Sequence, residues 1–326
     1  MTSLSQLLLG PATRRGWSVV LCALACACRS STGPAAGGHP EGVLVATPAV
    51  ASRPFALAIS SGGVVYAGRQ DLPYVQVATT DGLTFGDSIR VGADPTDIAF
   101  SSDGTTAYVT NQFSANVGIV NVAAHASTDS IALPANPFRI LVAPGNGRIY
   151  VSTNNDSLYE IDPVAKTLTR RWGFKAPCNG LTITGSGAEM FTTTIGGQLA
   201  RLRLATGALD TVTIGGTLQD VALSRDESEL FIANESGPLL VRSAATLSAV
   251  TTVPAVTGAF ALKLSPDGTR LFTTSTGAGF LSIVDPSSRA VVGSLFLGGL
   301  PRRIAFSPDG GTALIANEAG FIEVIK

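Results

Sequence analysis

Residues 98–111 read Ile98-Ala99-Phe100-Ser101-Ser102-Asp103-Gly104-Thr105-Thr106-Ala107-Tyr108-Val109-Thr110-Asn111. An apolar run leads into a Ser-x-Asp-Gly turn, and a β-branched and aromatic run follows it. That is strand, tight turn, strand, with Gly104 supplying the positive φ the turn needs. Relatives of the phrase begin at Leu57, Ile140, Leu181, Val221, Leu262 and Ile304. Aligned on the small residue before the turn, the anchors are Ser60, Ser101, Ala143, Thr184, Ser224, Ser265 and Ser307. Their spacings are 41, 42, 41, 40, 41 and 42 residues. Seven copies at so even a period are an internal repeat.

Each copy reads as four short strands. In the second these are Asp97–Ser101, Thr106–Thr110, Val117–Val122 and Ser130–Leu133. No segment sustains a 3.6-residue apolar period with helix caps. Four strands per repeat of this length are the signature of a propeller blade. The seventh copy has room for only three: Arg303–Ser307, Thr312–Ala316 and Phe321–Ile325. Upstream of the first copy one strand-like run, residues 43–47, is unassigned; placed beside Phe321–Ile325 it supplies the missing strand and pairs an open edge. The expectation is an all-β fold: a seven-bladed β-propeller of four-stranded blades over residues 43–326, the ring closed by an N-terminal strand.

The residues also carry a family resemblance. Tyr108-Val109-Thr110-Asn111 after Ser101-Ser102-Asp103-Gly104 resembles the bacterial and archaeal YVTN-repeat propellers, which are WD40-like in architecture. Ser265-Pro266-Asp267-Gly268 and Ser307-Pro308-Asp309-Gly310 match the turn; Ile232-Ala233-Asn234 and Ile315-Ala316-Asn317 match the strand end. Glu160-Ile161-Asp162-Pro163 and Ile283-Val284-Asp285-Pro286 match the third strand. The fourth copy departs, with Thr184-Gly185-Ser186-Gly187 at the turn and Thr192-Thr193-Thr194 at the strand end, which predicts a less regular blade. The resemblance implies an exported protein of the surface or periplasm; it does not imply an enzyme.

Composition narrows the function classes. Apolar residues make up 45% of the 326 residues and charged residues 14%, which argues for a large core and against disorder. A net charge of −1 leaves no basic footprint for nucleic acid. Arg14 and Arg15 precede an uncharged run, Gly16 to Cys28, and no acid occurs before Glu41. This is a secretory signal over residues 1–27, too short to span a bilayer. Ala25-Cys26-Ala27-Cys28 resembles a lipobox, which implies lipidation at Cys28, or alternatively at Cys26, and membrane attachment through that lipid. Residues 28–42, rich in Ser, Gly, Pro and Ala, read as a flexible tether in which His39 is solvated and idle. With the signal removed and Cys28 lipidated, Cys178 stands alone and no intrachain disulfide is expected.

The repeated acids and amides, such as Asp103, Asp267, Asp309, Asn111, Asn234 and Asn317, read as turn and strand-end residues bonding the local backbone. Ligand candidates come from the start of each innermost strand, which borders the central channel. Four residues before each anchor stand Ala56, Asp97, Arg139, Gly180, Asp220, Ala261 and Arg303. A one-residue shift in the irregular fourth copy brings Asn179 in place of Gly180. Asp97, Arg139, Asn179, Asp220 and Arg303 are therefore the candidate ligand-binding residues, at a charged channel rim flanked by Arg302. The alternative is that these charges pair across the mouth and solvate it. Cys178 lies at the same rim, but a thiolate nucleophile needs a neighbouring base. His125 belongs to a loop on the outer rim, so Cys178 reads as idle. No phosphate loop, metal-binding or nucleophile motif occurs; no cofactor, metal or catalytic residue is expected. The function expected is a binding or scaffolding module for an envelope protein, a peptide or a polar ligand, with a lactonase-like or other hydrolase at the same rim as the alternative.

Overall fold

A computed structural model describes residues 38–326. The expected signal segment, Cys26, Cys28 and the tether up to residue 37 lie outside the described residues. The described chain folds into seven four-stranded antiparallel sheets and, among these residues, no helix. The sheets are the blades of a seven-bladed propeller. Their innermost strands, blades 1 to 7 in order, are Pro54–Ile59, Pro95–Phe100, Pro137–Val142, Cys178–Ile183, Leu218–Leu223, Ala261–Leu264 and Pro301–Phe306.

The ring closes as the repeat count requires. Leu44–Ala46 pairs antiparallel with Phe321–Ile325 and becomes the outer strand of blade 7. Val43 and Lys326 exchange backbone hydrogen bonds of 2.7 and 2.9 Å. The side chains of this closing strand stay exposed, so it contributes chiefly by pairing an edge. Val50, just after it, is buried in the core between blades 7 and 1.

The repeated turn is a hydrogen-bonded unit. Ser101 Oγ donates to Asp103 Oδ1 at 2.6 Å and accepts the Thr106 N–H at 3.0 Å; Asp103 Oδ1 accepts the Thr105 N–H at 3.0 Å. The same bonds recur around Ser224, Ser265 and Ser307. Blade 4 is as regular as the rest, contrary to expectation. Thr184 Oγ1 accepts the Glu189 N–H at 3.1 Å and Ser186 Oγ takes the place of the aspartate, accepting the Ala188 N–H at 3.3 Å. A hydroxyl at each place satisfies the same backbone donors, so the turn survives the change of letters.

Blade faces pack on one another through seven apolar clusters, one per blade boundary. The boundary of blades 1 and 2, for example, sets the Tyr66 and Phe100 rings 5.1 Å apart. Second strands such as Leu271–Ser275 and Ala313–Asn317 are buried throughout, while the outer strand of blade 2, Ala126–Ala132, buries only Ile131. Burial therefore falls from the second strand of a blade to its outer edge. His39 is not idle: its Nδ1 lies 2.7 Å from Asp267 Oδ2 and 3.0 Å from Thr269 Oγ1, on the blade 6 turn. His125, on the outer loop of blade 2, meets exposed Asp87 at 2.7 Å.

Candidate functional site

All seven inner strands run the same way along the channel, and in six blades a β-bulge interrupts their first residues. A bulge re-aims consecutive side chains. Here it brings two successive repeat positions toward the axis: the one read from the sequence and the one before it.

The earlier position closes the channel. Phe55, Phe138 and Phe260 come from blades 1, 3 and 6, yet the Phe55 ring lies 6.0 Å from Phe138 and 6.1 Å from Phe260. Side chains of such distant blades meet only across the axis. They form a small apolar plug, with Phe55 and Phe260 buried. Beyond it Arg302 lies 4.5 Å from the Phe260 centroid and pairs with buried Glu318, which Arg53 also contacts.

On the other side of the plug is a cavity of about 370 Å³. Asp97, Arg139, Asp220, Arg303 and Lys263 line it, and its walls run to Ile59, Phe100, Val142 and Phe306, where the inner strands end. The channel is thus a blind well. The charged residues expected at a rim sit on its floor, beneath the plug, and the open mouth is at the opposite end. The physical reason is that the strand starts, which would form the rim, carry the three phenylalanines.

The charges are unequally paired. Arg139 faces both acids: its Nη2 lies 3.2 and 3.3 Å from the Asp220 oxygens, and its Nε 3.4 Å from Asp97 Oδ2. Burial opposes the charge of Arg139, but Asp220 and Asp97 together outweigh it and raise its pKa. Each acid also accepts a backbone N–H from the following blade, Asp97 from Ile140 at 3.1 Å and Asp220 from Leu262 at 3.2 Å. Both carboxylates are thereby fixed as acceptors.

Arg303 has none of this. It is 3% exposed, and its Nε, Nη1 and Nη2 find no hydrogen-bond partner among the described residues. Its guanidinium carbon lies 5.3, 5.3 and 5.4 Å from the ring centroids of Phe55, Phe138 and Phe260. Cation–π attraction offsets part of its desolvation but satisfies no N–H in the plane of the fork. Burial, helped by the like charge of Arg139, pushes its pKa down to about 9, which leaves it a cation at neutral pH. Lys263, nearer the mouth, is exposed to the channel yet walled by protein; that enclosure and Arg139 lower its pKa.

The structure therefore unites Asp97, Arg139, Asp220 and Arg303 and leaves out Asn179. Blade 4 keeps the common register, so Gly180 holds the fourth place before the anchor, where an added Cβ would lie 2.7 Å from the Asp220 backbone. Asn179 is one step earlier, donating to Gln219 Oε1 at 2.6 Å, outside the cavity lining. Sequence reasoning missed Lys263 and the plug. Both were legible in the aligned repeats: a lysine where the other copies have Ala58, Ala99, Leu141, Thr182, Ala222 and Ala305, and three phenylalanines at one position. Cys178 is fully buried, and burial raises its pKa, so its thiol is inert at neutral pH.

No protein-family profile matches the chain, and no curated protein matches it. Among solved structures, a chain of Kuenenia stuttgartiensis hydrazine synthase is similar, with a TM-score of 0.77 and 17% identity over 89% of this chain and 99% of that one. At that identity the likeness is one of fold.

Proposed function

We propose that this chain is an exported binding propeller of the cell envelope, held by a lipid on Cys28 or Cys26, which takes a polar ligand or part of a partner into its central channel. The observation that carries this reading is Arg303, which lines the cavity while its buried guanidinium lacks a hydrogen-bonding partner among the described residues. Buried polar groups are ordinarily satisfied, and an unpaired buried cation costs several kcal/mol. A site that keeps one is built for a partner that arrives from outside. A concave well on which a few polar groups converge is a usual form of ligand site. Gly38, the first described residue, lies on the mouth face, where its N–H donates to the Asp309 carbonyl at 3.2 Å.

A hydrolase in the same channel draws no comparable support. General-base catalysis needs a group free to take a proton, and Asp97 and Asp220 are both spent on Arg139 and on backbone N–H groups.

The reading is tested by purifying the full chain, tagged at its C-terminus, from native envelopes and identifying by mass spectrometry what accompanies it, with Arg303→Met in parallel. A stoichiometric companion lost in the variant is the expected result. A companion retained by the variant moves recognition to the blade edges, and no companion at all removes the reading. Palmitate labelling tests the anchor: Cys28→Ser or Cys26→Ser should abolish it, and an unlabelled parent chain would refute lipidation.

A further inference from the structure

The channel's chemistry narrows its ligand, an inference that rests on the binding reading above. The two acids of the floor are both committed to Arg139, so the well holds three cations against two carboxylates, a surplus of one positive charge. The surplus is localised. Neither Arg303 nor Lys263 forms an ion pair among the described residues, and both line the same cavity. Arg303 stands at the floor; Lys263 is two positions nearer the mouth in the aligned repeats, about 7 Å along a strand. Between and above them Leu57, Ile98, Leu141 and Ile304 are in the lining, but the surface the well exposes is more polar than apolar.

We infer that the well binds a small organic monoanion, its carboxylate seated on the Arg303 fork and the rest of the molecule directed toward the mouth past Lys263. A planar carboxylate matches the bidentate geometry of a guanidinium, and its two oxygens take up N–H groups that have no other partner. One negative charge neutralises the well; a phosphate dianion would leave it negative between Asp97 and Asp220. The cavity, about 370 Å³, is at the small end of the range for ligand sites and suits a short-chain acid. The phenylalanine plug leaves the mouth at the strand ends as the way in. Lys263, more exposed than Arg303, steers the anion and contributes less to holding it.

The test is isothermal titration of the full chain with hexanoate, with hexylamine and inorganic phosphate as comparison probes, at fixed ionic strength. Hexanoate should bind one per chain and hexylamine should not bind. Arg303→Met should weaken hexanoate about 30-fold or more, as loss of a buried charge partner does. Lys263→Met, at an exposed position that leaves the core untouched, should weaken it several-fold. Thermal melts of both variants show whether they remain folded; if Arg303→Met does not, Arg303→Lys replaces it, keeping the charge and losing the fork. Hexanoate binding unchanged in Lys263→Met and in the folded Arg303 variant, or no hexanoate binding at all, overturns the assignment. Phosphate binding that depends on Arg303, without hexanoate binding, overturns the carboxylate and leaves the binding channel standing. Co-purification tests the channel by itself, so the two readings fail separately.

Discussion

Asp97 Oδ2 accepts the backbone N–H of Ile140 at 3.1 Å, across the boundary between blades 2 and 3. Asp220 repeats the contact at the boundary of blades 5 and 6, on Leu262 at 3.2 Å. Residues chosen from the sequence as ligand candidates are thus also blade-to-blade clamps, which separates their roles from that of Arg303.

Asp97→Ala should therefore destabilise the ring, whatever it does to binding. It strands the Ile140 N–H and takes one counter-charge from Arg139, a loss of about 3 kcal/mol for a buried pair. Asp97→Asn keeps an acceptor and should lose less. Denaturant melts of the two variants check this, and equal stability of Asp97→Ala and the parent would refute the clamp.

Phe260→Ala should open the plug. It removes a buried ring that packs near Phe55 and lies between two arginines, at a cost of about 3–5 kcal/mol. Arg303 should then react faster with phenylglyoxal, read by peptide mass spectrometry. An unchanged rate would mean that the plug does not seal the floor.

Glu323 should make stability fall as pH rises. It is fully buried, and burial raises its pKa from the ordinary 4.5 to about 7, opposed by the Asn317 amide donating at 2.6 Å. The folded state therefore binds a proton that the unfolded chain releases between these values. Its contribution is fully present below pH 4.5 and is lost as pH rises through 7, on the order of 3 kcal/mol in all. Asp94, raised to about 6 chiefly by burial, acts in the same sense. Glu323→Gln keeps the acceptor for Asn317 and should flatten the profile above pH 5; a parallel profile would place the titration elsewhere.

Deleting residues 43–47 should lower the melting temperature of the whole propeller as one transition. The deletion removes the pairing of Leu44 and Ala46 with Ile325 and Val324 and exposes the edge of blade 7. An unchanged melting temperature would show that the interblade cores hold the ring without closure.

The sequence by itself determined the architecture. Seven copies of one phrase, a turn whose serine and aspartate bond their own backbone, and a three-stranded last copy with a spare strand upstream are all local or periodic features. The period of 40 to 42 residues gives a four-stranded blade, and the count of seven copies gives the ring. The repeat alignment also placed Asp97, Arg139, Asp220 and Arg303 on the axis, because position within a blade is periodic. It misplaced Asn179 by reading an irregular turn as a shift, where hydroxyls had simply replaced a carboxylate.

What only the tertiary structure decided is how those axial side chains share their partners. Arg139 reaches Asp220 across 81 residues of chain, and Phe55, Phe138 and Phe260 meet from three separated blades. Contacts of this kind depend on the diameter of the closed ring and on rotamers chosen across it, and no period in the sequence records either. The same packing decides which end of the channel is shut, and it leaves Arg303 as the buried cation whose N–H groups stay unpaired among the described residues.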